Sequence, residues 1–416
     1  MAQAGQAANR QKRGRELLES YYADLHIHIG RTEAGDPVKI SASKDLTFYH
    51  IAREASIRKG IDIVGIIDCQ SPGVQREIET YLASGEMEEL PDGGIRYQST
   101  TVLLGSELEL KEPGHGPMHL LCFLPDLSAM SDFTRWLTPR MKNVSLSSQR
   151  VYASARELQA ETLARGGVVI PAHIFTPHKS LYGSCCSRME EVLDPRGVAA
   201  VELGLSSNTQ MANAIPDLSG HAFVTNSDAH SLGKIAREYN VLRLARPTFK
   251  EVVKALAGED GRAIEANYGL EPVLGKYHRT YCEACASLLD DAPEALAADR
   301  CPWCGSTKIV RGVYDRIGSL ASATAGSAGA NRLVRPRPPY RNQVPLEFVP
   351  GLGPKKREAL LAAFGTEMNI LHRVSESELA AVIGDRPASV IAAAREGRAA
   401  FQSGGGGVYG KLKERI

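Results

Sequence analysis

The amino-acid sequence predicts an α/β fold for most of the chain, followed by a small cysteine-rich domain and a C-terminal α-helical domain. Between residue 21 and about residue 257, short apolar runs of β character alternate with segments of helical periodicity. Two CxxC pairs and a glycine-containing turn between helical segments come after them. The alternation is typical of a parallel α/β sheet, either open or closed into a barrel.

Composition and charge restrict the functional classes. The chain has 416 residues, 43% of them hydrophobic, so two or three domains with substantial cores are expected. Its net charge is +1, so any nucleic-acid surface has to be local. No apolar run is long enough to cross a bilayer, and the first twenty residues lack the apolar segment of a secretory signal. The cysteine usage suits a reducing compartment, and we expect a cytoplasmic protein without a membrane partner.

Strands and helices follow one another regularly in the α/β part. The predicted strands are Tyr22–His28, Ile61–Ile67, Thr101–Leu108, Met118–Leu124, Gly167–His173, Val198–Leu203, Ala222–Asn226 and Tyr239–Leu244. Helical periodicity lies between them, as in Leu46–Lys59, Ser147–Arg165 and Thr248–Leu256. Asp45 and Ser147 are candidate N-caps for the first two helices.

The first predicted strand ends in Asp24-Leu25-His26-Ile27-His28. Because side chains alternate along a strand, His26 and His28 share one face and are spaced to chelate one divalent ion. Two histidines at a sheet edge without a metal are the alternative for this stretch alone. Most other predicted strands, however, also carry a metal-type residue at or near one end: Asp68, Glu107, His119, His173, Glu202, Asp228 and His230. Burying so many ionisable groups without ions is costly, so the pattern predicts a polynuclear metal site.

These residues resemble the PHP (polymerase and histidinol phosphatase) family. The resemblance rests on Asp24–His28, a glutamate after the third strand, two later histidines and Asn226-Ser227-Asp228-Ala229-His230, over about residues 20–258. It implies a distorted (β/α)7 barrel with two or three Zn²⁺ or Mn²⁺ ions, Mg²⁺ being a further option. The implied ligands are His26, His28, Glu107 and Asp228 for one ion, Glu107, His119 and His173 for a second, and Asp68 and His230 for a third. Many relatives have another histidine shortly after the first two, where this chain has Gly30-Arg31-Thr32-Glu33, which weakens the third site.

The chemistry expected of such a centre is hydrolysis of a phosphoester. Two cations that share a carboxylate activate water and neutralise a phosphoryl transition state. The expected catalytic residues are Asp228, Glu107, His26 and His28. Glu202 is expected outside the ligand set, and Arg31 or Lys179 are candidates for a phosphate contact, although each is equally an ordinary surface charge.

Cys282-Glu283-Ala284-Cys285 and Cys301-Pro302-Trp303-Cys304-Gly305 form two CxxC pairs separated by fifteen residues. This spacing is typical of one structural Zn²⁺ held by Cys282, Cys285, Cys301 and Cys304. A redox role is the alternative, but it needs only one CxxC pair.

The C-terminal part contains Val349-Pro350-Gly351-Leu352-Gly353-Pro354-Lys355-Lys356, which resembles a helix-hairpin-helix. Gly351 and Gly353 would let the hairpin backbone approach a DNA phosphate, and Lys355 and Lys356 would add charge. A weaker second copy lies at residues 382–387, and a plain helical turn is the alternative. Gln343–Phe348 fits the loose QxxLxF pattern of sliding-clamp ligands, or else leads apolar residues into this domain.

The expected domains are a mobile tail (residues 1–19), the PHP barrel (20–262), a zinc ribbon (263–316), a flexible basic linker (317–343), the helix-hairpin-helix domain (344–402) and a disordered tail (403–416).

A barrel, ribbon and hairpin domain in this order resemble the endonuclease Q family of DNA repair nucleases over nearly all of residues 20–400. That resemblance implies nicking of double-stranded DNA 5′ of deaminated bases (uracil, hypoxanthine, xanthine) or abasic sites, with 3′-hydroxyl and 5′-phosphate ends.

The damaged nucleotide would be extruded into a pocket beside the metals. Deamination turns an exocyclic amine into a carbonyl, so the pocket needs hydrogen-bond donors, and the resemblance supports Asn226 and Ser206 for this role. Ordinary polar residues that satisfy a loop backbone are the alternative for both. A histidinol-phosphatase-like enzyme acting on a small molecule and a non-catalytic DNA-binding protein are the competing functions.

Overall fold

The computed structural model of the chain describes residues 16–289, 300–324, 334–398, 401–402 and 411–412. Most of the predicted N-terminal and C-terminal tails, and residues 325–333 of the predicted linker, therefore lie outside the described residues. Glu19, in the predicted N-terminal tail, already begins the first strand. Lys411–Leu412, in the predicted C-terminal tail, pairs with Phe401–Gln402 as a small antiparallel sheet. No helix within the described ranges is long and apolar enough to span a membrane.

The strands are numbered in chain order. They are β1 (Glu19–Ile27), β2 (Ile63–Ile66), β3 (Glu88–Glu89), β4 (Ile95–Tyr97), β5 (Thr100–Lys111), β6 (Pro117–Leu124), β7 (Val168–Pro171), β8 (Ala200–Glu202), β9 (Ala222–Val224), β10 (Tyr239–Leu244), β11 (Ala263–Gly269), β12 (Tyr281–Cys282), β13 (Ile309–Val310), β14 (Tyr340–Asn342), β15 (Phe401–Gln402) and β16 (Lys411–Leu412). All the strands predicted from the apolar runs of the sequence are present among them.

The α-helices are α1 (Phe48–Arg53), α2 (Pro72–Ser84), α3 (Leu127–Leu137), α4 (Ala155–Ala164), α5 (Thr209–Ala212), α6 (Phe249–Ala257), α7 (Val313–Thr324), α8 (Pro354–Phe364), α9 (Glu367–His372), α10 (Glu376–Ile383) and α11 (Asp385–Arg395). The predicted N-caps Asp45 and Ser147 are wrong. Helix α1 is capped by Thr47, which accepts from His50 N, and α4 by Ser154, which accepts from Glu157 N. Several residues can cap a helix from sequence, and only the backbone geometry selects one.

The strands close into the distorted barrel that the sequence predicts. The main sheet has the order β14-β11-β10-β1-β2-β5-β4-β3, and β6 pairs with both β5 and β7. A parallel bridge from Val169 to Val198 links β7 to the segment before β8, which pairs with β9. After β9, Thr225 N donates to Asn240 Oδ1 of β10 at 3.0 Å. This hydrogen bond to a side chain connects the end of β9 to β10 and completes the barrel.

The prediction of an entirely parallel sheet is wrong in part. Strands β1–β2, β2–β5 and β8–β9 are parallel, whereas β5–β6, β6–β7 and β1–β10 are antiparallel. Only residues 112–116 connect β5 to β6, and so short a connection permits a hairpin but not a parallel crossover. Leu103 and Leu121, on the same strand faces as Glu107 and His119, belong to a buried apolar cluster beneath the site.

The predicted boundary at residue 262 and the flexible linker at 317–343 also differ from the structure. Strand β11 pairs with β10, and β14 pairs with β11, so both extend the barrel sheet. Residues 317–324 belong to helix α7, since an alanine-rich composition favours a helix as readily as a linker. Arg337 fastens the proline-rich segment, with its guanidinium 3.6 Å from the ring centroid of Phe223 and a hydrogen bond to Leu218 O at 2.7 Å.

Candidate active site

His26 and His28 leave the end of β1 toward the barrel interior, with ring centroids 5.4 Å apart. Each ring is oriented by a carboxylate: His26 Nδ1 lies 3.0 Å from Glu202 Oε1, and His28 Nδ1 lies 3.1 Å from Asp68 Oδ2. Their Nε2 atoms are buried and have no hydrogen-bond partner within the described structure. A carboxylate on one ring nitrogen fixes the tautomer and leaves the other nitrogen free for a metal ion.

Glu107, in the middle of β5, is the carboxylate that the two halves of the site share. Its Oε1 lies 2.8 Å from His119 Nδ1 and 3.3 Å from His173 Nε2. On the other side, Oε1 lies 3.6 Å from His26 Nε2 and Oε2 lies 3.6 Å from His28 Nε2. Burial raises the pKa of Glu107, but the charges of His119 and Lys39 hold it well below its ordinary value. The carboxylate is therefore ionised among its partners.

Asp228 and His230 follow β9 at the open side of the site. Asp228 Oδ1 lies 3.4 Å from His26 Nε2 and 3.5 Å from His28 Nε2. The backbone of Asp228 is left-handed, with φ +46°, and Ala229 N donates to His26 O at 3.1 Å on the adjoining strand end. A non-glycine residue in this region is strained, which is common where a side chain is aimed at a functional site. The side chain of Asp228 is 32% exposed, so solvent reaches this edge of the cluster.

The donor set fits divalent ions. Three groups of ligand atoms each lie within 4.8 Å of one another: His26, His28 and Glu107; Glu107, His119 and His173; and His28, Asp228 and His230. The buried Nε2 of His119 and Nδ1 of His173 also lack hydrogen-bond partners among the described residues. Imidazole and carboxylate together suit zinc and manganese. The orphaned Nε2 atoms of His26 and His28 both approach the carboxylates of Glu107 and Asp228, an arrangement that is difficult to explain without a cation.

Asp68 and His230, which were predicted to hold a third ion, do not occur together in any of the three ligand groups, so that site stays a prediction. The Oδ1 atom of Asp68 is buried and has no hydrogen-bond partner among the described residues. Asp68 Oδ2 accepts from Ile29 N at 2.8 Å and contacts the His28 ring, so this carboxylate positions a ligand. His230 instead approaches Asp228, with Nδ1 3.5 Å from Oδ1. Glu202 is outside the ligand groups, as expected, because His26 and His173 N occupy its oxygens.

Sequence reasoning missed Lys39 and Ser148, which belong to two loops that meet over Glu107. Lys39 Nζ lies 3.4 Å from Glu107 Oε2 and donates to Ser148 Oγ at 2.6 Å, and Ser148 Oγ also donates to Glu107 Oε2. Neighbouring Ser147, predicted as a helix cap, places its hydroxyl 3.1 Å from His28 Nδ1. No local pattern identifies these residues, because both loops are far from Glu107 along the chain. Lys179, the sequence candidate, pairs with Glu109 at 2.7 Å instead.

A cavity of about 530 Å³ opens beside the ligand groups. Asp228 and His230 form part of its wall, and so do the predicted pocket residues Ser206 and Asn226. The Asn226 amide is already engaged, since Nδ2 donates to Glu202 Oε1 at 2.8 Å and Oδ1 accepts from Leu25 N at 2.9 Å. The volume is in the range of small-molecule sites.

Comparisons with known proteins agree with this architecture. The chain is similar to the crystal structure of a lesion-specific endonuclease Q from Pyrococcus furiosus, with 30% identity, a TM-score of 0.79 and 95% of both chains covered. It is equally similar to an endonuclease Q in complex with a 27-mer duplex substrate with an abasic lesion at the active site, with 30% identity, a TM-score of 0.79 and 95% and 96% covered. The chain belongs to the endonuclease Q family.

Two uncharacterized relatives extend the comparison. The protein YqxK of Bacillus subtilis is 50% identical over 398 residues, which is 95% of this chain and all of that one. The protein MJ0043 of Methanocaldococcus jannaschii is 34% identical over 259 residues, 57% of this chain and 31% of that one. No family model matches the chain.

The endonuclease Q chain carries a second metal-type cluster after the barrel, formed by Cys282, Cys285, Cys301 and Cys304. Cys282 Sγ lies 3.6 Å from Cys304 Sγ, and Cys285 Sγ lies 3.7 Å from Cys301 Sγ. A tetrahedral zinc with Zn–S bonds of about 2.3 Å separates its sulfurs by about 3.8 Å. The four thiols are therefore spaced for one zinc ion, next to the antiparallel pair of strands β12 and β13.

The stretch predicted to form a helix-hairpin-helix leads into helix α8. Gly351 has φ +79°, which favours glycine, and Gly353 is the N-cap of α8. Lys355 is exposed in the first turn, whereas Lys356 donates to Ile383 O at 2.7 Å. In the predicted clamp segment, Gln343 and Leu346 are buried in the fold, which favours the alternative that this stretch leads into the helical domain.

Proposed function

We propose that the protein is a DNA repair endonuclease that hydrolyses the phosphodiester 5′ of a deaminated base (uracil, hypoxanthine or xanthine) or an abasic site. Membership of the endonuclease Q family supports an endodeoxyribonuclease acting on damaged duplex DNA. The observation that carries the proposal is the position of the ligand groups, which lie at the wall of a 530 Å³ cavity. A lesion extruded into that cavity would bring its 5′ phosphate to the cluster.

The proposed ligands are His26, His28, Glu107 and Asp228 around one ion and Glu107, His119 and His173 around a second, with His230 at the exposed edge. Zn²⁺ or Mn²⁺ bound there supplies Lewis-acid activation of water and neutralises the phosphoryl transition state. Glu202 and Asp68 hold the His26 and His28 rings so that each Nε2 faces inward. Asp228, exposed on the cavity side, orients the attacking water.

The reaction balances as a simple hydrolysis. The water oxygen forms a bond to phosphorus, the bond from phosphorus to the 3′ oxygen of the preceding nucleotide breaks, and that oxygen takes up a proton. The products are a 3′-hydroxyl and a 5′-phosphate. Because the transition state spreads charge over the phosphoryl oxygens, positioning and electrostatic stabilisation supply most of the catalysis.

The proposed lesion pocket uses Ser206 and Asn226. Both line the cavity, and the Ser206 hydroxyl is the simpler donor to a carbonyl that deamination creates. Asn226 donates one amide hydrogen to Glu202, so only its second amide hydrogen is available for a contact with the base.

The C-terminal hairpin with Gly351, Gly353, Lys355 and Lys356 is proposed to hold the duplex backbone. One structural zinc is proposed to be held by Cys282, Cys285, Cys301 and Cys304. A sliding clamp is not part of the proposal, because Gln343 and Leu346 are buried.

The test is a nicking assay on a labelled duplex with one uracil, beside undamaged duplex and histidinol phosphate. A single nick 5′ of uracil that disappears in Asp228→Asn but persists in Asp132→Asn supports the proposal. Asp132 is a half-exposed aspartate on α3 that pairs with Arg135 and Arg165. Phosphate release from histidinol phosphate without DNA cleavage would indicate a small-molecule phosphatase. Lesion binding without turnover under any divalent metal would indicate a non-catalytic DNA-binding protein.

A further inference from the structure

Lys39 occupies a fixed position beside the shared carboxylate. The loop that carries it folds tightly after β1: a Cβ added at Gly30 would lie 1.9 Å from Ser43 O. Lys39 N donates to Ile29 O at 2.9 Å, and Ser147 N donates to the preceding carbonyl, Val38 O, at 2.9 Å. Val38 itself is 1% exposed. These backbone contacts fix the position from which the Lys39 side chain extends toward the site. Lys39 therefore differs from a mobile lysine on the protein surface.

The Lys39 ammonium is not saturated by its neighbours. A lysine has three N–H donors, and within the described structure two of them are taken, by Ser148 Oγ and by Glu107 Oε2. The contact with Glu107 is long, at 3.4 Å, and that carboxylate is shared with four histidines. The side chain is 16% exposed, so solvent reaches it and a third acceptor has access to its remaining donor.

A positive charge beside a proposed cluster of divalent ions is unfavourable unless an anion lies between them. Glu107 is one such anion, and its single charge is already shared among several cations. The scissile phosphate, whose transition state spreads negative charge over its equatorial oxygens, is the second. Lysine is a common point-charge ligand for phosphate.

We propose that Lys39 is a catalytic residue whose ammonium donates a hydrogen bond to a non-bridging oxygen of the scissile phosphate. This inference rests on the proposed function and adds a protein cation to the same site. Ser148 orients the ammonium through its hydroxyl. The pair supplies a fixed positive charge on the flank of the site where sequence-based reasoning expected a third metal ion.

The test compares single-turnover nicking of the uracil duplex by the wild type, Lys39→Met, Lys39→Arg and Ser148→Ala. We expect Lys39→Met to slow cleavage about 100-fold or more, as for the loss of one oxyanion donor. Lys39→Arg should retain part of the rate, because it keeps the charge. Metal content, measured by plasma mass spectrometry, and affinity for the duplex should stay at wild-type values. Lys250→Met, which removes an exposed lysine on α6, is the matched control.

Phosphorothioate substrates separate a phosphate contact from a supporting role. Sulfur at the contacted oxygen should slow the wild type, and Lys39→Met should lose that diastereomer-specific effect. The inference is overturned if Lys39→Met cuts within a few-fold of wild type, if it loses bound metal, or if the sulfur effect is unchanged. Loss of metal would make Lys39 a positioning residue for Glu107. If the wild type does not nick the duplex, the proposed function fails and this inference fails with it.

Discussion

The described part of the chain has two candidate metal clusters that are built in opposite ways. The cysteine cluster takes all its ligands from two short turns, and its four sulfurs surround one point. The barrel cluster takes its ligands from several strands and loops between residues 26 and 230. On one side of this cluster, the Asp228 and His230 side chains are about one-third exposed. Structural zinc sites are closed, whereas catalytic sites keep a position open to substrate.

The difference between the two clusters shows that metal coordination can stabilise a fold where the site is closed and can support hydrolysis where the site is open. In the cysteine cluster no carboxylate is needed to orient the ligands, because four sulfurs complete the tetrahedral coordination of one zinc ion. In the barrel each histidine of the first strand depends on a carboxylate behind it. The open cluster therefore requires the whole barrel, while the closed cluster requires only its own hairpin and turns.

The largest expected effect follows from removing the shared carboxylate of the open cluster. In Glu107→Gln, two ligand groups lose their common charge, and nicking should fall by more than about 1,000-fold. Metal analysis should show loss of barrel metal with zinc retained at the cysteines. Glu109→Gln, two residues along the same strand and paired with Lys179, is the control and should remain active. An active Glu107→Gln enzyme would remove the basis for an open metal centre.

Breaking the closed cluster should have a different signature. Cys301→Ser should release one zinc and increase hydrogen exchange in residues 281–289 and 300–310, because structural zinc binding is coupled to local folding. The barrel should still hydrolyse a small phosphodiester such as bis(p-nitrophenyl) phosphate, whereas duplex nicking should decline. Ser306→Ala keeps all four thiols and is the control. Equal loss of both activities would show that the two clusters are one functional unit.

A smaller effect is expected from the carboxylates behind the ligands. Glu202→Gln keeps the shape but removes the charge that orients His26, and metal affinity or activity should fall about 10- to 100-fold. A metal titration followed by nicking rate measures the shift. Glu259→Gln, on an exposed turn, provides the comparison. An unchanged titration curve would mean that the His26 ring is oriented by its packing alone.

The smallest expected effect concerns Glu238, a buried carboxylate for which the effect of burial on the pKa outweighs the nearby charge of Arg237. Burial raises the pKa of Glu238 from 4.5 to about 8, in contrast to Glu107. The folded state therefore retains a proton that the unfolded chain has lost, and stability declines as the pH rises from about 4.5 to about 8. Glu238→Gln should melt like the wild type at pH 5 and at a higher temperature at pH 9. A constant difference in melting temperature would contradict this assignment.

Local patterns in the sequence were sufficient to predict the strands, the metal-type residues at their ends and the cysteine spacing. Strand periodicity is a property of the backbone, so His26 and His28 had to share a face once β1 formed. The spacing of the CxxC pairs is likewise local. Both features could be recognised from short stretches of sequence, whereas the closed barrel was implied by the resemblance to the PHP family.

Only the tertiary structure decided which residues support the site. Asp68 positions His28, Glu202 positions His26, and Lys39 reaches Glu107 from another loop. It also made β5–β6 a hairpin and joined the proline-rich segment to the barrel sheet. The physical reason is that these contacts join positions far apart in the chain, and their geometry depends on how loops pack after the strands have paired. The sequence by itself determined which side chains were available to the site, and the fold determined which of them meet.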